Sequence, residues 1–85
     1  MYNIHFHNEA WDEFGWWMEN DLKTVRKIYA LLQSIGKNPF TGIGKPEPLK
    51  GNYSGYWSRR INAEHRLVYK PVEDGVVILK LKGHY

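Results

Sequence analysis

The sequence predicts one α+β domain in which two N-terminal helices pack on a small, mostly antiparallel, twisted sheet. Two stretches between residues 8 and 36 repeat apolar residues at helical spacing. From residue 49 onward, short alternating segments are separated by Gly-rich and Asn-rich turns, which is typical of a β-meander. The 85 residues fit a single domain, 1–85, and the absence of cysteine leaves no disulfide framework.

The first seven residues alternate between apolar and polar side chains and predict a half-buried strand. Tyr2, Ile4 and Phe6 share one side of this strand. His5 and His7 share the other side, where two imidazoles are a potential metal pair. No third ligand of suitable spacing follows nearby, so the commoner interpretation is a pair of solvated histidines.

Two helices follow this strand. Asn8 is a candidate N-cap of the first helix, whose acidic first turns suit a helix N-terminus. The apolar stripe of that helix is interpreted as core rather than as a stacking platform. It consists of Trp11, Phe14, Trp17 and Met18. Asn20 or Asp21 caps the second helix, and Gly36 ends it. The apolar face of the second helix carries Leu22, Val25, Ile28, Tyr29, Leu32 and Ile35.

The loop over residues 38–48 contains three prolines and two glycines. Pro46 and Pro48 bracket Glu47 and predict an extended backbone at Lys45 and Glu47, because proline disfavours the αR region at the preceding residue. A restrained backbone suits an acid or base that must be aimed at a substrate. The alternative is an ordinary surface glutamate in a Pro-rich turn.

The meander is predicted to have strands over residues 56–61, 65–71 and 76–82. With three-residue turns between them, Arg60 lies opposite Arg66. Facing arginines are a cost to the sheet that an anionic ligand would relieve, which favours a phosphate site over a solvated face. The residues expected on this side of the sheet are Arg60, Arg66, Lys82 and His84.

The same register places other residues on the apolar side, which the helices cover. Leu79 is expected opposite Tyr69. Arg59 also falls on this side and is expected to snorkel to an edge.

The charge distribution favours an anionic partner. Residues 1–22 contain five acids and no Lys or Arg, a net charge of −5, whereas residues 23–85 carry twelve cations and four acids, a net charge of +8. The stretch from Lys45 to Lys70 holds six of these cations and four aromatic residues. Cations interleaved with aromatics suit a nucleic acid, and the alternative is a solvated charged surface.

The candidate site combines a carboxylate, several cations, an imidazole and a phenol. Its members are Glu47, Lys50, Arg60, Arg66, His84 and Tyr85. RNA cleavage without a metal needs a base for the 2′-OH, cations for the developing phosphorane charge and an acid for the leaving 5′-oxygen. These residue types fit that chemistry, but they do not by themselves choose cleavage over binding.

The segment KPEPLKGNYSGYWSRRINAEHRLVY, together with the His-Tyr end, resembles the YoeB toxins of bacterial toxin–antitoxin modules, within the RelE/ParE superfamily. The likeness extends over essentially the whole chain, including the Trp11-Asp12 pair and the Asn38-Pro39-Phe40 loop. One departure is at Lys82 and Gly83, where the family usually has an Arg or similar residue followed by an aromatic.

The resemblance implies a RelE-like microbial RNase fold and a type II toxin that cuts mRNA in the ribosomal A site without a metal or other cofactor. It also implies a homodimer, a YefM-type antitoxin as partner, and contact with operator DNA only through that antitoxin. Ribosomes, rRNA and mRNA would be the other partners. No apolar run approaches the length of a membrane span, and a cytoplasmic location is expected.

The resemblance also implies a role for each candidate residue. Glu47 would be the general base, His84 the general acid, and Arg66 the residue that stabilises the transition state. Arg60 and Lys50 would assist at the phosphate, and Tyr85 would position the substrate. Further RNA contacts are expected from Lys45, Arg59 and Lys82.

Two alternatives stay open from the residues alone. One is a non-catalytic toxin of the same fold, of the ParE kind, which poisons DNA gyrase and would not need Glu47, Arg66, His84 and Tyr85. The other is an RNA-binding module that retains affinity for RNA but produces no cut ends.

Overall fold

A computed structural model describes residues 1–83 of the chain. The helices in this range are α1 (Asn8–Asn20) and α2 (Leu22–Lys37). The strands are β1 (Asn3–Phe6), β2 (Glu47–Pro48), β3 (Trp57–Arg60), β4 (Arg66–Val72) and β5 (Gly75–Lys80). A 3₁₀ helix, Gly51–Tyr53, joins β2 to β3. No helix in the described part is long and apolar enough to cross a membrane.

The strands form one sheet in the order β1-β5-β4-β3-β2. β1 runs parallel to β5, and the other three pairings are antiparallel. The prediction of two helices on a mostly antiparallel sheet is therefore confirmed. The short edge strand β2 was not predicted, because its two residues lie inside the Pro-rich loop and show no alternation of their own.

Each helix begins at a side-chain cap. The prediction of Asn8 as first cap is wrong: His7 is the N-cap of α1, and its Nδ1 accepts a hydrogen bond from the Glu9 N–H at 3.3 Å. Asp21 caps α2 by accepting from the Thr24 N–H at 3.1 Å and from the Thr24 hydroxyl at 2.7 Å. These hydrogen bonds to the charged form hold the pKa of Asp21 below its usual value.

The core lies between the helices and one face of the sheet. Its buried residues are Ala10, Trp17, Ile28, Leu31, Ile35, Ile61, Leu67, Tyr69, Val76, Ile78 and Leu81. The predicted stripes are only partly right. Trp11 and Met18 are 62% and 52% exposed, and Tyr29 is 61% exposed, whereas Leu31, which the prediction left out, is fully buried. The helices are thus rotated relative to the faces inferred from spacing.

The register of the meander was correctly predicted for β3 and β4 but not for the start of β5. Trp57 pairs with Tyr69 and Arg60 with Arg66, as expected. Tyr69, however, pairs with Ile78 rather than with Leu79, because the last turn has two residues instead of three. Gly75 has already joined the sheet beside β1, so close to the backbone of Asn3 that a Cβ would collide with it. A register shift between Val68 and Tyr69 then takes up the extra residue.

Candidate active site

The face of the sheet turned away from the helical core, which we call the open face, carries the candidate site. Glu47 pairs with Ser58, and Ser58 pairs with Val68, so these three residues form one row across β2, β3 and β4. Arg60 and Arg66 form the next row along β3 and β4. Their side chains share the open face because side chains alternate along a strand and the intervening Leu67 lies in the core.

Ser58 is the point at which the two halves of the site meet. Glu47 lies beside it through strand pairing, and the Arg66 guanidinium donates to its hydroxyl at 3.4 Å. Ser58 itself is fully buried, while Glu47 is exposed and Arg66 is half-buried. Ser58 thus links Glu47, its neighbour in β2, to the Arg66 guanidinium. Ser58 was not among the predicted site residues because β2 was assigned to a loop. It lies two residues before Arg60 in the predicted strand over residues 56–61 and therefore shares the face of Arg60.

Arg60 lies directly opposite Arg66, which confirms the predicted pairing of two cations. The Arg60 side chain is exposed, and its backbone N–H donates to the Gly44 carbonyl at 2.7 Å. Like charges facing each other destabilise a sheet. The pair therefore forms a positive patch, beside Glu47, that an anionic group would neutralise.

Two lysines close to Glu47 in the sequence lie on the surface. Lys45 and Lys50 are both exposed. Glu47 has the extended backbone that was predicted for it, as part of β2. The same prediction is wrong for Lys45, which has a left-handed φ of 55°. A non-glycine residue in this region, held before a proline, carries backbone strain of the kind that collects at functional sites.

Arg59 does not belong to the surface that was predicted for it. Its side chain is completely buried instead of snorkelling to an edge. Its guanidinium is enclosed by hydrogen-bond acceptors of α2, the following loop and β4. All its N–H donors are taken, so we withdraw Arg59 from the predicted RNA contacts.

The segment after β5 is held by three side chains and by one backbone hydrogen bond to the first residue of β4. The Leu81 N–H donates to the Glu13 carboxylate at 2.6 Å, and the Leu81 carbonyl accepts from the Trp17 indole at 2.9 Å. The Gly83 N–H donates to Nδ1 of His65 at 2.9 Å, and its carbonyl accepts from the Arg66 N–H at 2.7 Å. Gly83, and with it the start of the C-terminal tail, is thus tied to the row of Arg66.

Two predicted residues of this tail lie outside the described part of the chain, His84 and Tyr85. Lys82 is described, and its ammonium lies 3.6 Å from the ring centroid of Trp16 in α1. This cation–π contact engages the charge of Lys82 with α1. The predicted contact of Lys82 with RNA stays a prediction.

Comparison with known proteins now identifies the family. The model of the YoeB-like toxins of bacterial type II toxin–antitoxin systems matches residues 6–85. The chain belongs to this family. A YoeB toxin of Mycobacterium bovis is 52% identical to the chain over 85 residues, covering the whole of both sequences.

Solved structures of other YoeB-like toxins agree with the fold. The YoeB/ParE toxin from Agrobacterium tumefaciens superposes with a TM-score of 0.94 at 40% identity and covers all of both chains. The YoeB dimer from Staphylococcus aureus gives a TM-score of 0.91 at 48% identity, over 99% of this chain and 98% of that one. A YoeB–YefM complex from the same organism gives 0.89 at 46% identity, over 100% and 99%.

The candidate site therefore combines residues from two parts of the chain. Glu47 comes from the edge strand β2, and Arg60 and Arg66 come from the meander. Within residues 1–83, no group of three His, Cys, Asp or Glu side chains is placed to hold a metal ion. Glu47, Arg60 and Arg66 give the candidate site one carboxylate and two cations.

Proposed function

We propose that this type II toxin is a ribosome-dependent endonuclease that cuts mRNA in the ribosomal A site. The observation that carries the proposal is that Glu47 pairs with Ser58, whose hydroxyl accepts from Arg66, while Arg66 itself faces Arg60. An exposed carboxylate next to a pair of otherwise repulsive guanidinium groups suits a phosphodiester whose neighbouring 2′-OH must lose a proton. Membership of the YoeB-like family supports the same reaction.

In the proposed reaction, Glu47 takes the proton of the ribose 2′-OH while the 2′-oxygen forms a bond to the adjacent phosphorus. Arg66, assisted by Arg60 and Lys50, stabilises the charge that grows on the non-bridging oxygens. The bond from phosphorus to the 5′-oxygen then breaks, and His84 supplies the proton for this leaving group. The products are a 2′,3′-cyclic phosphate and a 5′-hydroxyl, and Tyr85 positions the substrate.

The partners follow from the same proposal. The S. aureus relatives include a YoeB dimer and a YoeB–YefM complex. By analogy we propose that this chain forms a homodimer and is neutralised by a YefM-type antitoxin, through which alone it reaches operator DNA. A target on the translating ribosome implies action in the cytoplasm.

The test is a single-turnover assay on ribosomes programmed with a defined mRNA, in which cut ends are mapped and timed. Glu47→Gln removes the base and keeps the size of the side chain, so its rate is expected to fall by about 10²–10⁴-fold. Glu73→Gln is the matched control, because it makes the same change at an exposed position in the turn before β5. Its rate is expected to equal that of the wild type.

Three outcomes would contradict the proposal. A wild type that binds programmed ribosomes without cutting would favour the RNA-binding module. Inhibition of DNA gyrase without mRNA cleavage would favour the ParE-like alternative. Full activity of Glu47→Gln would show that the base lies elsewhere.

A further inference from the structure

Arg59 is a fully buried cation, and its contacts in the described part of the chain include no carboxylate. Removing a charge from water without a counter-charge is costly, so such a residue persists only where its hydrogen bonds are complete. An apolar residue on this face of β3 would avoid the cost. The hydrogen bonds of the guanidinium show which structural role offsets this cost.

All five N–H donors of Arg59 have an acceptor, which is the full capacity of a guanidinium. The loop over residues 38–44 supplies three backbone carbonyls as acceptors. They belong to Asn38 at 2.8 Å, Thr41 at 3.0 Å and Ile43 at 3.1 Å. The Ser34 hydroxyl accepts at 2.7 Å and the Tyr69 hydroxyl at 3.0 Å. One planar group therefore joins the end of α2, the loop and β4.

The bonds of the two hydroxyls extend this arrangement to more of the loop. The Tyr69 hydroxyl donates to the Pro39 carbonyl at 2.6 Å. The Ser34 hydroxyl accepts from the Ile43 N–H at 3.3 Å. Directly or through these hydroxyls, Arg59 thus fixes most of the backbone from residue 38 to residue 43.

The path of this loop determines where Glu47 lies. Gly44 is packed so closely that a Cβ there would lie 2.6 Å from Leu31. Lys45 then turns through a left-handed conformation, and Glu47 follows two residues later. Its strand, β2, has only two residues, so the strand pairing alone holds Glu47 weakly.

We infer that Arg59 is a positioning residue for Glu47: it holds the loop over residues 38–44 so that Glu47 pairs with Ser58, whose hydroxyl accepts from Arg66. The inference rests on the proposed role of Glu47 as the base. Lysine cannot replace arginine here, because an ammonium has three donors around one point rather than five in a planar fork. Arg59 touches no substrate and acts only through the loop.

The first readout does not depend on catalysis. Amide hydrogen exchange is measured in Arg59→Lys and in the milder Ser34→Ala, which removes one acceptor. Two amides report on the loop and β2, namely Arg60, which donates to Gly44, and Leu49, which donates to Tyr56. They are expected to exchange at least about tenfold faster in Arg59→Lys, whereas the amide of Ile78 in β5 keeps its protection.

The second readout is cleavage on programmed ribosomes, measured per folded molecule. Arg59→Lys is expected to lower kcat by about 10²-fold, since a displacement of about 1 Å at a reacting group has that effect, while KM stays close to that of the wild type. Ser34→Ala is expected to lower kcat by a smaller factor and likewise to leave KM close to that of the wild type. The control is Val76→Ala, which disturbs the core in β5, two strands away from β3.

The two readouts separate the inference from the proposed function. If the wild type does not cleave mRNA, the proposed function is wrong. If amide exchange at Arg60 and Leu49 is the same in Arg59→Lys as in the wild type, the positioning role is wrong, whatever the cleavage assay shows. If exchange rises evenly over the whole protein and kcat per folded molecule is unchanged, Arg59 serves stability alone and the inference is wrong. If Arg59→Lys does not fold, Ser34→Ala decides by the same criteria.

Discussion

Tyr69→Phe removes a single hydroxyl from the interior and leaves the aromatic ring in place. That hydroxyl is fully buried, accepts from the Arg59 Nε–H at 3.0 Å and donates to the Pro39 carbonyl at 2.6 Å. Phenylalanine would leave a charged donor and a carbonyl without partners. This substitution therefore measures the contribution of the buried Arg59 arrangement to the free energy of unfolding.

Tyr69→Phe is expected to lower the free energy of unfolding by about 3 kcal/mol. A hydrogen bond to a charged group contributes about 1.5–3 kcal/mol, and an unpaired buried carbonyl costs about 1–3 kcal/mol, with some relief by relaxation. A chain of this length has a total stability of about 4–13 kcal/mol. The loss therefore lowers Tm by about 12–24 °C, which urea and thermal unfolding at pH 7 both resolve.

The same variant also tests the ionisation of Tyr69. Burial raises the pKa of its hydroxyl above the ordinary value, and the adjacent Arg59 opposes this rise only in part. The folded state therefore keeps the proton at pH values where the unfolded tyrosine has lost it. This contribution to stability is complete below about pH 10 and is lost as the pH rises through the raised pKa. The difference in the free energy of unfolding between wild type and Tyr69→Phe should accordingly become smaller above about pH 10.

Tyr29→Phe is the control, because it deletes a hydroxyl from a side chain that is 61% exposed. It is expected to change the free energy of unfolding by less than about 0.5 kcal/mol. A loss of similarly small size in Tyr69→Phe would refute the reasoning, since it would mean that the Arg59 donor finds another acceptor without cost.

Two further predictions concern the helices and the loop. Gly15→Ala is expected to stabilise the protein by about 0.5–1 kcal/mol, because this helical position has no atom within 4 Å of the added Cβ. Gly44→Ala should instead destabilise the protein by about 2–4 kcal/mol, because Gly44 has a left-handed φ of 82° and the added Cβ would press on Leu31. Thermal unfolding compares the two, and a stabilising Gly44→Ala would contradict the packing of the loop. Asp21→Ala should destabilise α2 most at neutral pH, because the lowered pKa of Asp21 makes its cap fully effective above about pH 4 and weakens it as the pH falls through the folded-state pKa. Urea unfolding at pH 7 and pH 3 checks this, and a cost that grows towards pH 3 would be the opposite result.

The sequence was sufficient for features that depend on local periodicity and short turns. The pairing of Arg60 with Arg66 followed from alternation and a three-residue turn. Where the same reasoning was applied to the next turn it failed, because Gly75 had been counted as a turn residue. The decisive contact there is with Asn3, which is remote in sequence and leaves no space for a Cβ. No local pattern carries that information.

The candidate site, too, could be predicted where local patterns decide and not where remote contacts do. Glu47 was singled out by the prolines around it, but its pairing with Ser58 depends on a strand too short to show periodicity. Lys45 was expected to be extended because of Pro46, and its left-handed φ shows that the surrounding loop overrides the local preference. The anchoring of Leu81 by Glu13 and Trp17 likewise joins residues that no spacing rule relates.

The two consecutive arginines of β3 show why a count of cations misjudged the binding surface. Adjacent residues of a strand point to opposite faces, so Arg59 and Arg60 cannot both meet the same ligand. Arg60 is exposed on the open face, while Arg59 is fully buried among the carbonyls of the loop. One cation of the pair thus contributes to the field that an anion meets, and the other shapes the backbone that leads to Glu47. The charge of the stretch from Lys45 to Lys70 is therefore divided between recognition and architecture, and the parity of a residue in its strand decides which of the two it serves.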